Sequence, residues 1–275
     1  MLEIFQYDFM LRAWLAGLMI AVLAPTIGTF LLVKRYSLLA DTLSHVSLVG
    51  VALSAVLGIH PMIGAFLTSS VAAVGIEELR TRKKLFGESV LALVLSGSLA
   101  LAVILFRFTK GATLNLVSVL FGSITTVTAS DVWLIGICGI VVLVLVLRWF
   151  KLLFLATYDE ELARANGVPV RLLNAVLVVL AAITVSLSLR IVGTLLIGAL
   201  MVIPVLTASQ FKQAFSRTYG IAVVSSVLSV IGGLFASFYL NLPSGGAIVL
   251  VALLFFFMAL VLPVRRSSAS QLARI

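Results

Sequence analysis

The sequence carries little charge for its length. Asp, Glu, Lys and Arg make up 11% of its 275 residues and hydrophobic residues make up 62%, whereas soluble domains average about 25% charged residues. A soluble fold could not cover this much apolar side chain, and a membrane helix needs roughly 20 mostly apolar residues. The composition therefore predicts an all-α integral membrane protein, a polytopic bundle of 8–9 transmembrane helices forming a single domain over residues 1–275. It excludes a sizeable soluble catalytic domain.

Several chemical motifs are also missing. The single cysteine, Cys138, excludes an intrachain disulfide and a multi-cysteine zinc motif. Without a GxxxxGK[ST] phosphate-binding loop the chain is not expected to be an ATPase, and without HExxH an intramembrane metalloenzyme is disfavoured. The net charge of +9 comes from basic residues at the ends of apolar runs rather than along one face. That distribution fits membrane topology and argues against nucleic acid as a partner.

Nine apolar runs alternate with short polar breaks. Lys and Arg favour cytoplasmic loops, so the break after the first run is placed inside. This leaves four of the 19 basic residues outside, namely Arg12, Arg107, Lys110 and Arg190. The N-terminus is then predicted outside and the C-terminus in the cytoplasm. The runs are 12–33, 37–58, 61–79, 89–106, 131–149, 170–189, 191–209, 219–239 and 245–263. The fifteen inside residues are Lys34, Arg35, Arg80, Arg82, Lys83, Lys84, Arg148, Lys151, Arg164, Arg171, Lys212, Arg217, Arg265, Arg266 and Arg274.

Two segments fit this scheme poorly. Residues 111–130 are too polar for a span, which favours a segment at the outer interface or one that re-enters the membrane. The runs at 170–189 and 191–209 are separated by little more than Arg190. If one of these runs is a broken helix, the count is eight, and otherwise it is nine.

The run at 191–209 has the composition of a closely packed, kinked helix. Gly193 and Gly198 allow neighbouring helices to approach, and Pro204 interrupts the helical hydrogen bonds. Met201 lies between them and could bind a soft metal, although apolar packing is the expected use. We expect these four residues to serve in helix packing or as part of a gate.

Asp41 and His45 are ionisable residues within the second apolar run. They are four residues apart and so share one face of a helix. At about 1.5 Å per residue, His45 lies on the order of 15 Å beyond Lys34 and Arg35, near the middle of a roughly 30 Å hydrocarbon layer. Charged groups at that depth are costly unless they are paired or face a water-filled path.

Two interpretations of this pair stay open. Asp41 and His45 could bond each other or their Thr42 and Ser44 neighbours as internal packing. Alternatively they bind a divalent cation, because imidazole and carboxylate suit zinc or manganese. Two ligands are too few for tight zinc binding, but two copies of the chain about a two-fold axis would supply the four that zinc commonly takes.

The remaining ionisable residues near span ends give weaker signals. His60, before Pro61 in an outer loop, is a possible secondary metal contact, although a solvated loop residue is the commoner case. Glu77 and Glu78 are expected to pair with the adjacent basic cluster, and Asp131 to cap the span that it starts.

The break at 157–169 is the longest polar cytoplasmic segment. Thr157 with Glu160 is a capping-box pattern, Glu160 with Arg164 is a favourable i,i+4 pair, and Gly167 with Pro169 ends a helix. The pattern predicts a short amphipathic helix that is either an interfacial connector or a docking element for a cytoplasmic partner.

These features together resemble one known family. The sequence SLLADTLSHVSLVGVAL at 37–53 resembles the second-span motif of the zinc, manganese and iron ABC permeases, the ZnuB-like family, and IVGTLLIGALMVIP at 191–204 resembles its late-span motif. Asp159–Gly167 resembles its ATPase-coupling loop, and NLPSGG at 241–246 its outer turn. The resemblance covers essentially the whole chain.

The resemblance implies a permease subunit without enzymatic activity of its own, in a bacterial inner or plasma membrane. In this family two permease copies associate with two cytoplasmic ATP-binding subunits, and an extracellular lipoprotein or periplasmic binding protein delivers the metal. It implies a channel-lining role for Asp41 and His45. It also implies ATPase coupling through the helix at 159–167, which includes Asp159, Glu160, Glu161, Arg164 and Gly167.

The transported metal is the cargo, and no permanently bound cofactor is expected. Ala40 and Val49 replace residues typical of manganese-type members, which favours zinc over manganese or iron. An ion-coupled secondary metal carrier is the alternative, because intramembrane charges and kinked helices occur there too.

Overall fold

A computed structural model describes residues 6–83, 87–108 and 116–261, and within them the chain is helical without strands. This confirms the predicted fold class. The helices are α1 (Asp8–Val33), α2 (Leu39–Leu57), α3 (Pro61–Lys83), α4 (Gly87–Phe108), α5 (Leu116–Phe121), α6 (Ala129–Arg148), α7 (Phe150–Tyr158), α8 (Glu160–Ala165), α9 (Val170–Ser188), α10 (Ile197–Ser209), α11 (Phe215–Leu240) and α12 (Ser244–Val261).

Eight of these helices, α1, α2, α3, α4, α6, α9, α11 and α12, are long and apolar enough to cross a membrane. Their bounds lie within a few residues of the predicted runs, because run length and polar breaks largely determine where a membrane helix starts and stops. The basic residues Lys84, Lys110, Arg265, Arg266 and Arg274 lie outside the described residues.

The structure distinguishes the two alternatives for the run at 191–209, a ninth span or a broken helix. The run at 191–209 does not form a ninth full span, because residues 189–196 form turns and α10 has 13 residues. Gly193 has a φ of +83°, and a side chain there would collide with the backbone of Leu120 and Phe121. The broken-helix alternative, with eight long helices, is therefore the correct one within the described part of the chain.

Within the polar segment 111–130, the structure describes residues 116–130. They include the short helix α5 and a 3-10 turn at Ile124–Thr126. The backbone amides of Thr194 and Leu195 donate to the carbonyls of Val119 and Leu120, each at 3.1 Å. The segment therefore packs on the turns before α10 and does not span the bundle.

The core is built around α1, α2, α9 and α10. The apolar windows of α1 and α2 are each 72% buried and that of α9 is 67% buried, whereas those of α4 and α6 are 22% and 28% buried. The helices α4 and α6 thus lie at the periphery of the bundle. One end of the bundle, the basic end, carries Lys34, Arg80 and the short helices α7 and α8, and the opposite end carries His60, Asp131 and Arg190.

Candidate functional site

Asp41 and His45 lie on one partly accessible face of α2. The helix starts at Leu39, and Asp41 lies in its first turn. Residues 42–44 and 46–48 are buried, whereas Asp41 and His45 are half-buried. Toward the opposite end this face is covered at Val49 and Ala52, which are buried, and exposure returns only at Leu53 (37%) and Val56 (49%). The i,i+4 spacing therefore places both side chains on a face that the rest of the chain leaves partly open.

Measured along the bundle axis, Asp41 and His45 lie well away from the basic end. Ser47 Oγ is 3.3 Å from Ser186 Oγ of α9, and Ser69 Oγ of α3 is 2.7 Å from the same atom. At about 1.5 Å per residue, Ser186 lies about 18 Å beyond Asn174, which is level with Lys34, and Asp41 lies about 9 Å below Ser47. His45 is then about 15 Å from the level of Lys34, in agreement with the depth expected from sequence.

Asp41 packs against the start of α10. A methyl group on Gly198 would overlap Asp41 Oδ1 and would lie 2.7 Å from Cγ. Gly198 is the second residue of α10, whose N-cap Leu196 has no side-chain cap. The Asp41 carboxylate therefore lies against the first turn of α10.

Each chain brings two candidate metal donors, Asp41 and His45, to this place. Among the described residues, no group of three or more His, Cys, Asp or Glu side chains could hold a metal ion. His45 Nδ1 is buried without a hydrogen-bond partner in the described part of the protein. Internal pairing with Thr42 and Ser44 is not formed, because their hydroxyl groups donate to the carbonyls of Leu38 and Asp41. The geometry therefore leaves the two side chains available to an external ligand.

The other residues singled out in the run at 191–209 are Gly193, Met201 and Pro204. Met201 is fully buried, and its carbonyl lies against Gly28 of α1. Pro204 lies buried inside α10. Gly193 lies at the turn before α10, at the opposite end of the bundle. Met201 therefore lies in the helix contact expected from apolar packing.

His60 belongs to a separate cluster at the opposite end. Its Nε2 atom is 3.8 Å from Asp131 Oδ1, and Arg190 Nε is 3.7 Å from Asp131 Oδ2. The Asp131 carboxylate also accepts from the Thr128 amide at 3.0 Å, which completes a capping box at the start of α6. Sequence reasoning placed Asp131 at a helix start but missed its contacts with His60 and Arg190.

The segment 157–169 contains the predicted short helix with a different start. Thr157 is in the last turn of α7, where its hydroxyl donates to the Leu153 carbonyl. The expected Thr157 capping box is therefore wrong, and Asp159 is the N-cap, accepting from the Leu162 amide at 2.9 Å. The helix α8 ends before Gly167, whose φ of +75° suits glycine.

The side chains of α8 face two directions. Glu161 and Leu162 are exposed, the latter at 51%. Glu160 forms the predicted pair with Arg164 at 3.3 Å, but it also accepts a 3.0 Å hydrogen bond from Lys34. The Lys34 contact has no local sequence signal. Glu77 pairs with Arg80 at 2.9 Å, as expected, whereas Glu78 pairs with Arg171 of α9.

Comparison with known proteins gives a consistent assignment. The model of the ABC 3 transport family matches residues 6–263. A probable metal transport system membrane protein of Treponema pallidum is 38% identical over 258 residues, covering 94% of this chain and 96% of that protein. The manganese transport system membrane protein MntC of Listeria monocytogenes is 33% identical, covering 92% and 90%. The high-affinity zinc uptake system membrane protein ZnuB of Haemophilus influenzae is 28% identical, covering 93% and 98%.

The fold has a matching solved structure. A chain of PsaBC from Streptococcus pneumoniae in complex with Fab superposes with a TM-score of 0.85 and 29% identity, covering 98% of this chain and 97% of that one. The match extends over nearly the full length of both chains.

Proposed function

Because this chain belongs to the ABC 3 transport family and is a metal-importer permease of the cell membrane, we propose that its cargo is zinc and that Asp41 and His45 bind the ion. The observation that carries this proposal is the half-buried Asp41 and His45 pair on one stripe of the membrane helix α2. Ionisable side chains at such depth are usually functional, and aspartate and histidine are common zinc ligands.

A second copy of the chain completes the site. Two donors are too few for a tight zinc site, and a two-fold axis beside α2 would bring two Asp41 and two His45 side chains together. The half-burial of Asp41 and His45 in a single chain leaves room for a partner helix at this face and supports the arrangement. In this arrangement each permease contributes half of the ion path.

The basic end is the cytoplasmic end in this proposal. Lys34, Arg80, Arg148 and Arg171 lie at or next to the helix ends there, in line with the enrichment of cytoplasmic loops in basic residues. The ion then enters at the opposite end, where an extracellular or periplasmic binding protein delivers it and where His60 offers a first contact.

Zinc uptake is the test of the cargo. The permease is reconstituted in vesicles with its ATP-binding subunit and binding protein, and uptake of zinc and manganese is measured with ATP supplied. We expect zinc to be transported with the lower KM, because imidazole and carboxylate donors in four-coordinate geometry suit zinc.

Two outcomes would contradict this assignment. A lower KM for manganese would overturn the cargo and leave the importer class intact. Uptake that persists without ATP but stops when the proton gradient is dissipated would indicate a secondary carrier instead. A protein-free vesicle sample and a sample without the ATP-binding subunit are the controls.

The helix α8 is the proposed docking element for the ATP-binding subunit. Leu162 and Tyr158 are 51% and 74% exposed at the basic end, and Glu161 and Arg164 are exposed beside them. Asp159 caps the helix, and Gly167 ends it. An exposed apolar side chain among charges on a short helix is suited to insertion into a partner groove.

Replacing Leu162 with Asp is expected to weaken binding of the ATP-binding subunit at least about tenfold, because a buried contact of this kind contributes about 2 kcal/mol or more. Affinity is measured with the two purified subunits in detergent. Gln213→Ala, an exposed change at the same end, is the control and should leave affinity unchanged.

Gly167→Val provides a second variant for the docking element. Because side chains rarely adopt a φ near +75°, the variant distorts the end of α8 without altering Leu162. Retention of the partner by both variants would rule out docking through α8.

A further inference from the structure

Lys34 is a buried charged residue beyond the end of α1. Its side chain is 4% exposed, and its Nζ atom donates to Glu160 Oε1 of α8 at 3.0 Å. It also donates to Asn174 Oδ1 of α9, while Asn174 Nδ2 donates to the same Glu160 oxygen at 3.1 Å. These three side chains, the α8 triad, therefore form a closed set of hydrogen bonds joining α1, α8 and α9.

The triad is held by charge as well as by hydrogen bonds. Burial lowers the pKa of Lys34, and the Glu160 carboxylate partly offsets that effect. Burial alone would raise the pKa of Glu160, but the hydrogen bond and charge of Lys34 and the Asn174 amide lower it below its ordinary value. Separating Lys34 from Glu160 would leave a buried ammonium without its counter-charge, which is costly.

Tyr36 connects the triad to the start of α2. Its ring centroid is 5.6 Å from Lys34 Nζ and 4.8 Å from the Arg80 guanidinium carbon. The Tyr36 amide donates to the Leu31 carbonyl at 2.8 Å, and its own carbonyl accepts from the Leu39 amide at 3.0 Å. Tyr36 thus lies in the turn that starts α2, and Asp41 is in the first turn of that helix.

The contacts form a continuous path from α8 to Asp41. It runs through Glu160, Lys34 and Tyr36 to the first turn of α2. By contrast, the Glu160 contact with Arg164 is on the surface, with the arginine side chain 67% exposed, and such pairs contribute little. A displacement of α8 must therefore either move the α1–α2 turn with it or break the buried triad.

We propose that Lys34 and Glu160 are positioning residues that transmit movement of α8 to the start of α2, so that the nucleotide cycle of the partner acts on the metal pair. This inference rests on the proposed docking of the ATP-binding subunit at α8. It assigns Glu160 to the inner face of α8 rather than to the docking surface, which leaves Glu161 and Leu162 as the groups facing the partner.

The test uses the complete transporter in vesicles and measures zinc transported per ATP hydrolysed. Lys34→Met keeps a long side chain and removes the charge. We expect this variant to retain the ATP-binding subunit and its basal ATP hydrolysis. The zinc-to-ATP ratio should fall at least about fivefold, the lower range of measured coupling between sites. Glu160→Gln, which preserves shape, should lower the ratio in the same direction.

Two further variants separate transmission from general damage. The exchange Lys34→Glu with Glu160→Lys restores the opposite charges and should recover part of the ratio. Arg171→Met removes the exposed ion pair with Glu78, 2.9 Å long at the same end, and should leave the ratio unchanged.

A normal zinc-to-ATP ratio in Lys34→Met, or an equal fall in Arg171→Met, would overturn the inference while the docking proposal stands. A wild-type chain that binds no ATP-hydrolysing subunit would overturn the proposed function and this inference with it.

Discussion

Replacing Asp41 with Ala is expected to reduce zinc uptake by more than about 100-fold, and His45→Ala should do the same. Residues that only hydrogen-bond to a metal ligand typically contribute 10- to 100-fold to metal affinity. In a site shared by two copies, each substitution removes two of the four direct donors, so the expected loss is larger. The measurement is zinc accumulation in cells that express each variant at the wild-type level.

The control lies on the same helix. Leu53→Ala changes an exposed apolar position of α2 without removing a donor, since Leu53 is 37% exposed, so uptake should stay near that of the wild type. Asp41→Asn, which keeps the shape of the side chain, should be as defective as Asp41→Ala. Normal uptake in both Asp41→Ala and His45→Ala would exclude the pair as the metal site.

The same variants test whether the site is shared. Purified permease should bind one zinc ion for every two chains, and mixing wild-type with Asp41→Ala chains should give mixed pairs with weakened binding. Binding of one ion per chain at full affinity would place the site within a single copy instead.

Most of the fold was predictable because its signal is local. Long apolar runs and basic breaks defined the eight long helices within a few residues, since each membrane helix must satisfy its own backbone. The break before α10 was harder to assign, because an apolar run of the same composition can form one span or a turn followed by a short helix. Gly193 and Pro204 indicated an irregular segment without specifying its path.

The candidate site was predictable only in part. The spacing of Asp41 and His45 is a property of one helix, so their shared face follows from sequence. The contacts of Asp41 with Gly198 and of Lys34 with Glu160 join distant segments, the second across 126 positions. No local pattern encodes such pairings. The Thr157 cap failed for a related reason, because α7 continues through Tyr158 and makes Asp159 the first available cap.

Gly198→Ala is expected to raise the KM for zinc about 10- to 100-fold while leaving the fold intact, an effect of the size seen for groups that orient metal ligands. The added methyl group would overlap Asp41 Oδ1. Because that atom is the end of a rotatable side chain, the carboxylate turns aside and the helices keep their packing. The variant is therefore expected to bind zinc more weakly because the Asp41 carboxylate is displaced, while the free energy of unfolding stays nearly unchanged.

Gly28→Ala distinguishes the two kinds of damage. A methyl group on Gly28 would collide with the Met201 carbonyl, which belongs to the backbone and cannot rotate away, so α1 and α10 must separate. We expect Gly28→Ala to lower the Tm of the purified protein, Gly198→Ala to leave it near that of the wild type, and Gly246→Ala, which meets open space, to change neither Tm nor KM. If Gly198→Ala lowered Tm as much as Gly28→Ala and left the KM of the folded fraction unchanged, Gly198 would serve helix packing, and its contact with Asp41 would have no part in binding the ion.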